Sequence, residues 1–437
     1  MLKYLLNFLF LFIVFINTWG QTYTTVRVSA DDAANPLIGG ATNKVVLGFS
    51  VSKTAGAGSD LTNLVISTGI TDPNTVFSSV QLRKSATNFA SAVNTGATPT
   101  LNAGNITFAG APIHSFGASA ETQFFYVVAT VSPSVATTVA AVPSITLGPL
   151  TEANTTYSGG TPTESPFSFS GSTFNFQALT TTVTQQAFGA SYVGGTPDKA
   201  IYGFRASTNT NGPQDISQVV FTLNIDPTVV SNLSSFKLVN NGASSTYGGG
   251  GTAIGTVVPV GNPSNTITVN LSGGEAPLTT TDTYFFLVAN VNTTMASTAL
   301  TTTLTSVTTN PSGAGGITGG GVGTIQNTTV TALTATVIKE SITASYTSGN
   351  VDKAFFGFKI NTNGTTQDLN QVVFTLNIDP NAATSLNTFK LVDNGASATY
   401  AGGGTTIVAP VLNTTPNTVT FSSLGVQINN SDKYFFL

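Results

Sequence analysis

Six aspartates stand where carboxylates could gather around a cation. Asp198, Asp226 and Asp282 form one set, and Asp352, Asp379 and Asp432 repeat it further along the chain. In each set one Asp precedes a strand-like run (DKAIYGF, DKAFFGF), one sits in an Asp–Pro pair, and one precedes YFFL. With an immunoglobulin-like strand order, antiparallel connections would bring each set to one end of a sandwich, facing the next unit. Ca²⁺ takes clustered carboxylate and carbonyl oxygens, so a junctional Ca²⁺ site is one expectation. Plain turn chemistry is the competing one: Asp–Pro ends strands, and Lys199, Lys353 and Lys433 directly follow their Asp and offer local neutralisation. Asn43, Asp72 and Glu121 form a weaker version upstream. Asp215 and Asp368 fall outside the sets, because eleven residues of strand at about 3.3 Å each put Asp215 roughly 36 Å from Asp226.

Tyr247 and Tyr400 occupy matching places in Gly-rich loops (STYGGG, ATYAGGG), and Tyr157 has a similar context. An exposed Tyr can stack on a sugar ring; a ring folded onto the sandwich edge is the alternative. Catalytic chemistry is poorly supplied. The one histidine, His114, lies in the loop-like stretch GAPIHSFG and reads as a surface-loop residue without counterparts in the other repeats. A nucleophile–base pair needs a base within reach, and a His-ligated zinc site lacks its partners. With no cysteine, disulfides and thiolate ligands are excluded. The Gly runs at 248–251 and 319–323 lack the Gly-Lys-Ser/Thr of a phosphate loop and read as flexible turns. Sequons at Asn154, Asn232 and Asn292 are what chance provides in a chain so rich in Asn and Thr.

The elements that must position these residues come from duplication. DKAIYGF at 198–204 returns as DKAFFGF at 352–358, and NKVVLGF at 43–49 is an earlier, divergent copy. QVVFTLNIDP at 218–227 recurs unchanged at 371–380, and LSSFKLVNNGAS at 233–244 recurs as LNTFKLVDNGAS at 386–397. Periodicity within the copies is two. Val219, Phe221, Leu223 and Ile225 point one way and Val220, Thr222, Asn224 and Asp226 the other, as in a half-buried antiparallel strand. Ala200, Tyr202, Phe204 and Ala206 share a face, as do Ala354, Phe356, Phe358 and Ile360. Ile267, Val269 and Leu271 alternate likewise, and 284–291 is apolar on both faces. Asn241–Gly242 and Asn394–Gly395 are hairpin-turn signals. About seven strands per copy, counting one over Thr182–Tyr192 before Asp198 and without capped helices, predict an all-β fold of tandem immunoglobulin-like antiparallel sandwiches. The expected divisions are a signal peptide at 1–20, repeat 1 at 21–178 with a loop or linker at 151–178, repeat 2 at 179–332 with a Gly-rich linker at 309–329, and repeat 3 at 333–437.

Charged residues make up only 7 % of the chain, so Thr, Ser, Asn and Gly serve as the polar partners. Fourteen Lys and Arg spread this thinly make no basic stripe, which excludes nucleic acid as a partner. Lys3 and the apolar run Leu5–Ile16, followed by small residues at Thr18 and Gly20, predict an export signal. No later stretch is long and apolar enough to span a membrane. At the other terminus DKYFFL repeats a string that continues further in the earlier copies. The third sandwich is therefore expected to be incomplete, unstable alone or able to recruit a strand from another chain.

The run from QDISQVVFTLNID through LSSFKLVNNGASSTYGGGGTAIG to TDTYFFLVANVN resembles the immunoglobulin-like repeats of large secreted bacterial surface and adhesin proteins. It is also similar to the N-terminal domain that accompanies BNR-repeat sialidases. The resemblance covers most of repeats two and three and part of repeat one. It implies no catalytic residues, and the Ser-x-Asp-x-Gly-x-x-Trp boxes of a sialidase propeller are absent. The expected function is an exported, non-catalytic cell-surface stalk or adhesin, with an extracellular glycan or protein as ligand, no cofactor beyond the Ca²⁺ candidate, and neighbouring repeats as partners. The rivals are an accessory region of a secreted glycan-degrading enzyme and a self-assembling fibre or surface-layer subunit.

Overall fold

A computed structural model describes residues 22–437, apart from 111, 136–143, 149, 152–154, 159–162, 165–167, 211–213, 259–264, 312–315, 343–344, 348–349, 379–387, 408–410 and 414–416. The export signal at 1–20 lies outside the described residues. The chain is all-β, with three hydrophobic cores that follow the three sequence copies.

The first unit contains β1 (Thr22–Arg27), β2 (Lys44–Lys53), β3 (Ser59–Ser67), β4 (Phe77–Ser85), β5 (Asn105–Ala109), β6 (Glu121–Val131) and β7 (Thr173–Gln177). The second contains β8 (Thr181–Gln185), β9 (Ala190–Val193), β10 (Lys199–Thr208), β11 (Gln214–Asn224), β12 (Leu233–Asn240), β13 (Thr266–Asn270), β14 (Thr283–Val291), β15 (Thr298–Asn310) and β16 (Ile325–Thr331). The third contains β17 (Ala335–Glu340), β18 (Gly357–Thr362), β19 (Gln367–Thr375), β20 (Val392–Asp393), β21 (Thr418–Ile428) and β22 (Lys433–Phe436). One sheet keeps the same strand order in every unit: β1-β2-β6-β4, then β8-β10-β14-β12, then β17-β18-β22-β20. The facing sheet of the second unit runs β9-β16-β15-β11-β13.

Alternation explains the packing. Val219, Phe221 and Leu223 of β11 are fully buried against Ile267 and Val269 of β13 and Phe204 of β10. β10 and β14 are central strands and bury both faces. The pairing slips by one residue between Ala200 and Tyr202, a bulge that turns Ala200 to the outer face. There Ala200, Val239, Phe286 and Val288 form a smaller cluster roofed by Phe188 and Tyr247. The first unit repeats this with Val45, Tyr126 and Val128 beneath Phe89. The glycine of each "GF" pair makes room for the aromatic residue across the strand: a Cβ on Gly203 would lie 2.8 Å from the Phe286 ring, and one on Gly357 2.8 Å from the Phe436 ring.

Three expectations need correction. The Gly-rich stretches are not linkers, since β7 lies in 151–178, and β16 with the end of β15 lies in 309–329. Their strand signal is masked because β16 turns Gln326 and Thr328 inward, both buried, while Ile325 is exposed. The segment read as one strand over 182–192 splits into β8 and β9, which belong to opposite sheets. The Asn–Gly pairs do not close two-residue hairpins: Asn240 pairs with Thr252, leaving 241–251 as a loop.

The chain enters and leaves the second unit at opposite ends. Thr181 of β8 lies opposite Thr208, at the far end of β10. The chain departs from β16 beside Gly194–Gly195, where the Gly195 N–H donates to Val291 O at 2.8 Å. That is the end where β10 begins, with Lys199 opposite Ala289. The ten residues of β10 separate these ends, roughly 33 Å at strand rise.

Candidate functional site

The first aspartate of each set is explained by its backbone. Asp198 has φ +56° and Asp352 φ +54°, and Asn43 takes the same place with φ +53°. Short polar side chains tolerate this left-handed region better than others. From that turn the Asp198 carboxylate faces β12. Lys237 Nζ lies 2.5 Å from Oδ1, and the Tyr247 hydroxyl donates to Oδ2 at 2.8 Å. The third unit rebuilds the cluster. Lys390 pairs with Asp352 Oδ1, and the Tyr400 hydroxyl donates to the same oxygen at 3.1 Å. Each Tyr ring lies half-buried on the sheet's outer face, 5.5 Å from Phe286 for Tyr247 and 5.4 Å from Phe436 for Tyr400. In the first unit Arg83 donates to Asn43 Oδ1 at 3.1 Å, and Phe89 covers Tyr126 at 5.3 Å. Carboxylate and hydroxyl are thus lost together there, while the covering ring is kept.

Lys199 and Lys433 do not pair with the aspartates they follow. Consecutive side chains on a strand point to opposite faces. Lys199 instead stands over the Tyr192 ring at 5.8 Å, and Lys433 pairs with Asp393 at 2.9 Å. The true partners, Lys237 and Lys390, were legible as the duplicated FKLV of β12 and its copy.

The strand order does not bring the aspartate sets together. β10 and β14 are antiparallel neighbours, so the start of one opposes the end of the other. Lys199 faces Ala289, whereas Ala206 faces Thr283. Asp282 therefore lies at the opposite end from Asp198, where it pairs with Arg205 at 2.7 Å. Asp432 likewise pairs with Lys359 at 2.8 Å and accepts from Asn361 Nδ2 at 2.6 Å. Asp226 is at the Asp198 end, its carbonyl accepting the Val229 N–H of a one-turn helix at 2.8 Å. Asp379 lies outside the described residues. Among the described residues no three His, Asp or Glu side chains gather as a metal site.

His114 is a strand residue, not a loop residue. It lies on His114–Phe116, its side chain 13 % exposed, with Nε2 2.6 Å from Glu121 Oε1 and its ring edge-on to Phe116. Burial opposes ionisation of Glu121, but the His114 and Gly117 hydrogen bonds prevail and lower its pKa.

The Asp198 pKa is lowered, chiefly by the Lys237 hydrogen bond against some burial, with Tyr247 adding to it. Burial, then the hydrogen bond to Asp198, raises the Tyr247 pKa. Asp352 is lowered by Lys390 and Tyr400 in the same manner. The lowered pKa makes the Asp198 carboxylate a weaker base, and the raised pKa keeps the Tyr247 phenol neutral. The arrangement works as a latch: it fastens loop 241–251, and its copy around Tyr400, across the outer sheet face.

No family model matches the chain, and no curated protein matches it. Among solved structures it is similar to the C-terminal domain of the AgI/II polypeptide BspA of Streptococcus agalactiae, at 10 % identity over 71 % of this chain and 100 % of that one, with a TM-score of 0.22. Similarity to the serine-rich repeat adhesion glycoprotein Srr1 of the same species is 9 % over 65 % and 91 %, TM-score 0.19. For the collagen adhesin CNA of S. aureus it is 11 % over 71 % and 91 %, TM-score 0.17. Function is therefore inferred from this chain's own residues.

Proposed function

We propose that this chain is an exported, non-catalytic surface protein whose sandwich units act as a stalk or adhesin. One observation carries the reading: the second unit receives the chain at one end and releases it at the other, so each added unit extends reach. Its clustered polar groups are spent on latching loops, and contact with an extracellular glycan or protein falls to the remaining exposed loops. An antibody raised against the second unit tests the location. It should label intact, unpermeabilised cells; labelling only after lysis contradicts the proposal.

A further inference from the structure

The two junctions between units are built alike. Residues 178–180 and 332–334 both read Ala-Leu-Thr, and these three residues are all that separates β7 from β8 and β16 from β17. An asparagine just past the end of β10, and of its counterpart β18, grips each connector. Asn209 accepts the Thr180 N–H on Oδ1 (3.1 Å), donates from Nδ2 to Ala178 O (2.8 Å) and from its backbone N–H to Thr180 O (3.2 Å). Asn363 makes the same three bonds to Thr334 (2.8 Å), Ala332 (2.9 Å) and Thr334 (3.2 Å).

The preceding unit closes on the connector from the other side with a Gly–Gly turn. Gly39 and Gly194 donate to the last residue of the departing strand, Gln177 O and Thr331 O, both at 2.9 Å. A Cβ on Gly39 would lie 3.1 Å from Leu179 N, and one on Gly194 3.3 Å from Leu333 N. At the second junction the units touch directly: a Cβ on Gly195 would lie 2.5 Å from Thr365 Oγ1, and one on Gly364 2.6 Å from Val193 Cγ1. There Leu333 lies between the two, near Gly195 and Gly364, and at the first junction Leu179, against Gly39 and Gly40, is 1 % exposed.

The first unit provides an internal comparison. Thr54 stands where Asn209 and Asn363 do. It accepts the Thr22 N–H on Oγ1 (3.1 Å) and donates its own N–H to Thr22 O (3.1 Å). A hydroxyl can fix the start of a strand, but it cannot also reach back two residues, as the carboxamide does. Asparagine is therefore needed only where a connector must be held at two points.

We infer that Asn209 and Asn363, with Leu179 and Leu333, form a repeated stiff joint that sets the orientation of successive units. The array is then a rod of fixed geometry rather than beads on a string. This does not depend on what the array binds. The chain has no cysteine, so Ser115→Cys and Thr329→Cys can carry spin labels on the first and second units, and pulsed electron resonance reads the distance distribution between them. A stiff joint gives one narrow distribution, broadened at least twofold by Asn209→Ala and by a Gly-Gly-Gly-Gly insertion after Leu179. Asn209→Thr, which keeps one anchor, should fall between. Unchanged far-ultraviolet circular dichroism confirms that each variant folds. A parent distribution as broad as that of the insertion variant overturns the joint. A narrow parent left unchanged by Asn209→Ala overturns the role of Asn209.

Discussion

At the residue scale, the latch couples backbone, charge and loop. Asp198 holds its place because the turn before β10 needs φ above zero, and its carboxylate then recruits Lys237 and Tyr247. Tyr247→Phe keeps the ring on Phe286 and removes one hydrogen bond to a partly exposed carboxylate. It should cost about 1 kcal/mol in urea unfolding; an unchanged midpoint would show that the hydroxyl contributes nothing. Linkage gives the pH dependence. The folded-state pKa of Asp198 is depressed, so its contribution is present above the unfolded carboxylate range near ~4 and fades as pH falls through the folded value. The folded-state pKa of Tyr247 is raised, so its contribution is present below about 10 and is lost as pH climbs through the folded value. Stability against pH should therefore fall at both extremes, and Asp198→Asn should flatten the acid limb. An acid limb identical in that variant would remove Asp198 from the account.

At the element scale, legibility followed hydropathy. Strands whose inward residues are apolar, such as β11 with Val219, Phe221 and Leu223, could be read from alternation alone. β16 could not, because Gln326 and Thr328 point inward and polar alternation looks like a loop. Gln326 is satisfied, donating to Phe188 O at 2.6 Å. The Thr328 hydroxyl is buried without a hydrogen-bond partner among the described residues. Thr328→Val should thus raise stability by roughly 1 kcal/mol; a loss of similar size would mean the hydroxyl is bonded. The aspartate sets failed for a different reason. Their convergence depended on which strands are direct neighbours, and β10 and β14 pair antiparallel, which sequence periodicity does not reveal. The Asp–Lys–Tyr latch was present as duplicated letters, yet the three residues lie far apart in sequence and meet only through pairing in the sheet. Gly203 tests the aromatic packing on that sheet. Gly203→Ala should cost about 1–3 kcal/mol by overpacking against Phe286, and a neutral result would contradict the close approach.

At the scale of the whole molecule, one sandwich is used three times, and the chain passes through the second from end to end. Three units of roughly 33 Å each give a particle about 100 Å long. A single compact body of this chain length would have a radius of gyration of only about 22 Å. Small-angle X-ray scattering of the chain in dilute solution is the most direct measurement. End-to-end stacking gives a radius of gyration near or above about 30 Å, the value for a thin rod of that strand-derived length, with the scattering profile of a rod. A value close to the compact figure, with a globular profile, would contradict end-to-end stacking of the units.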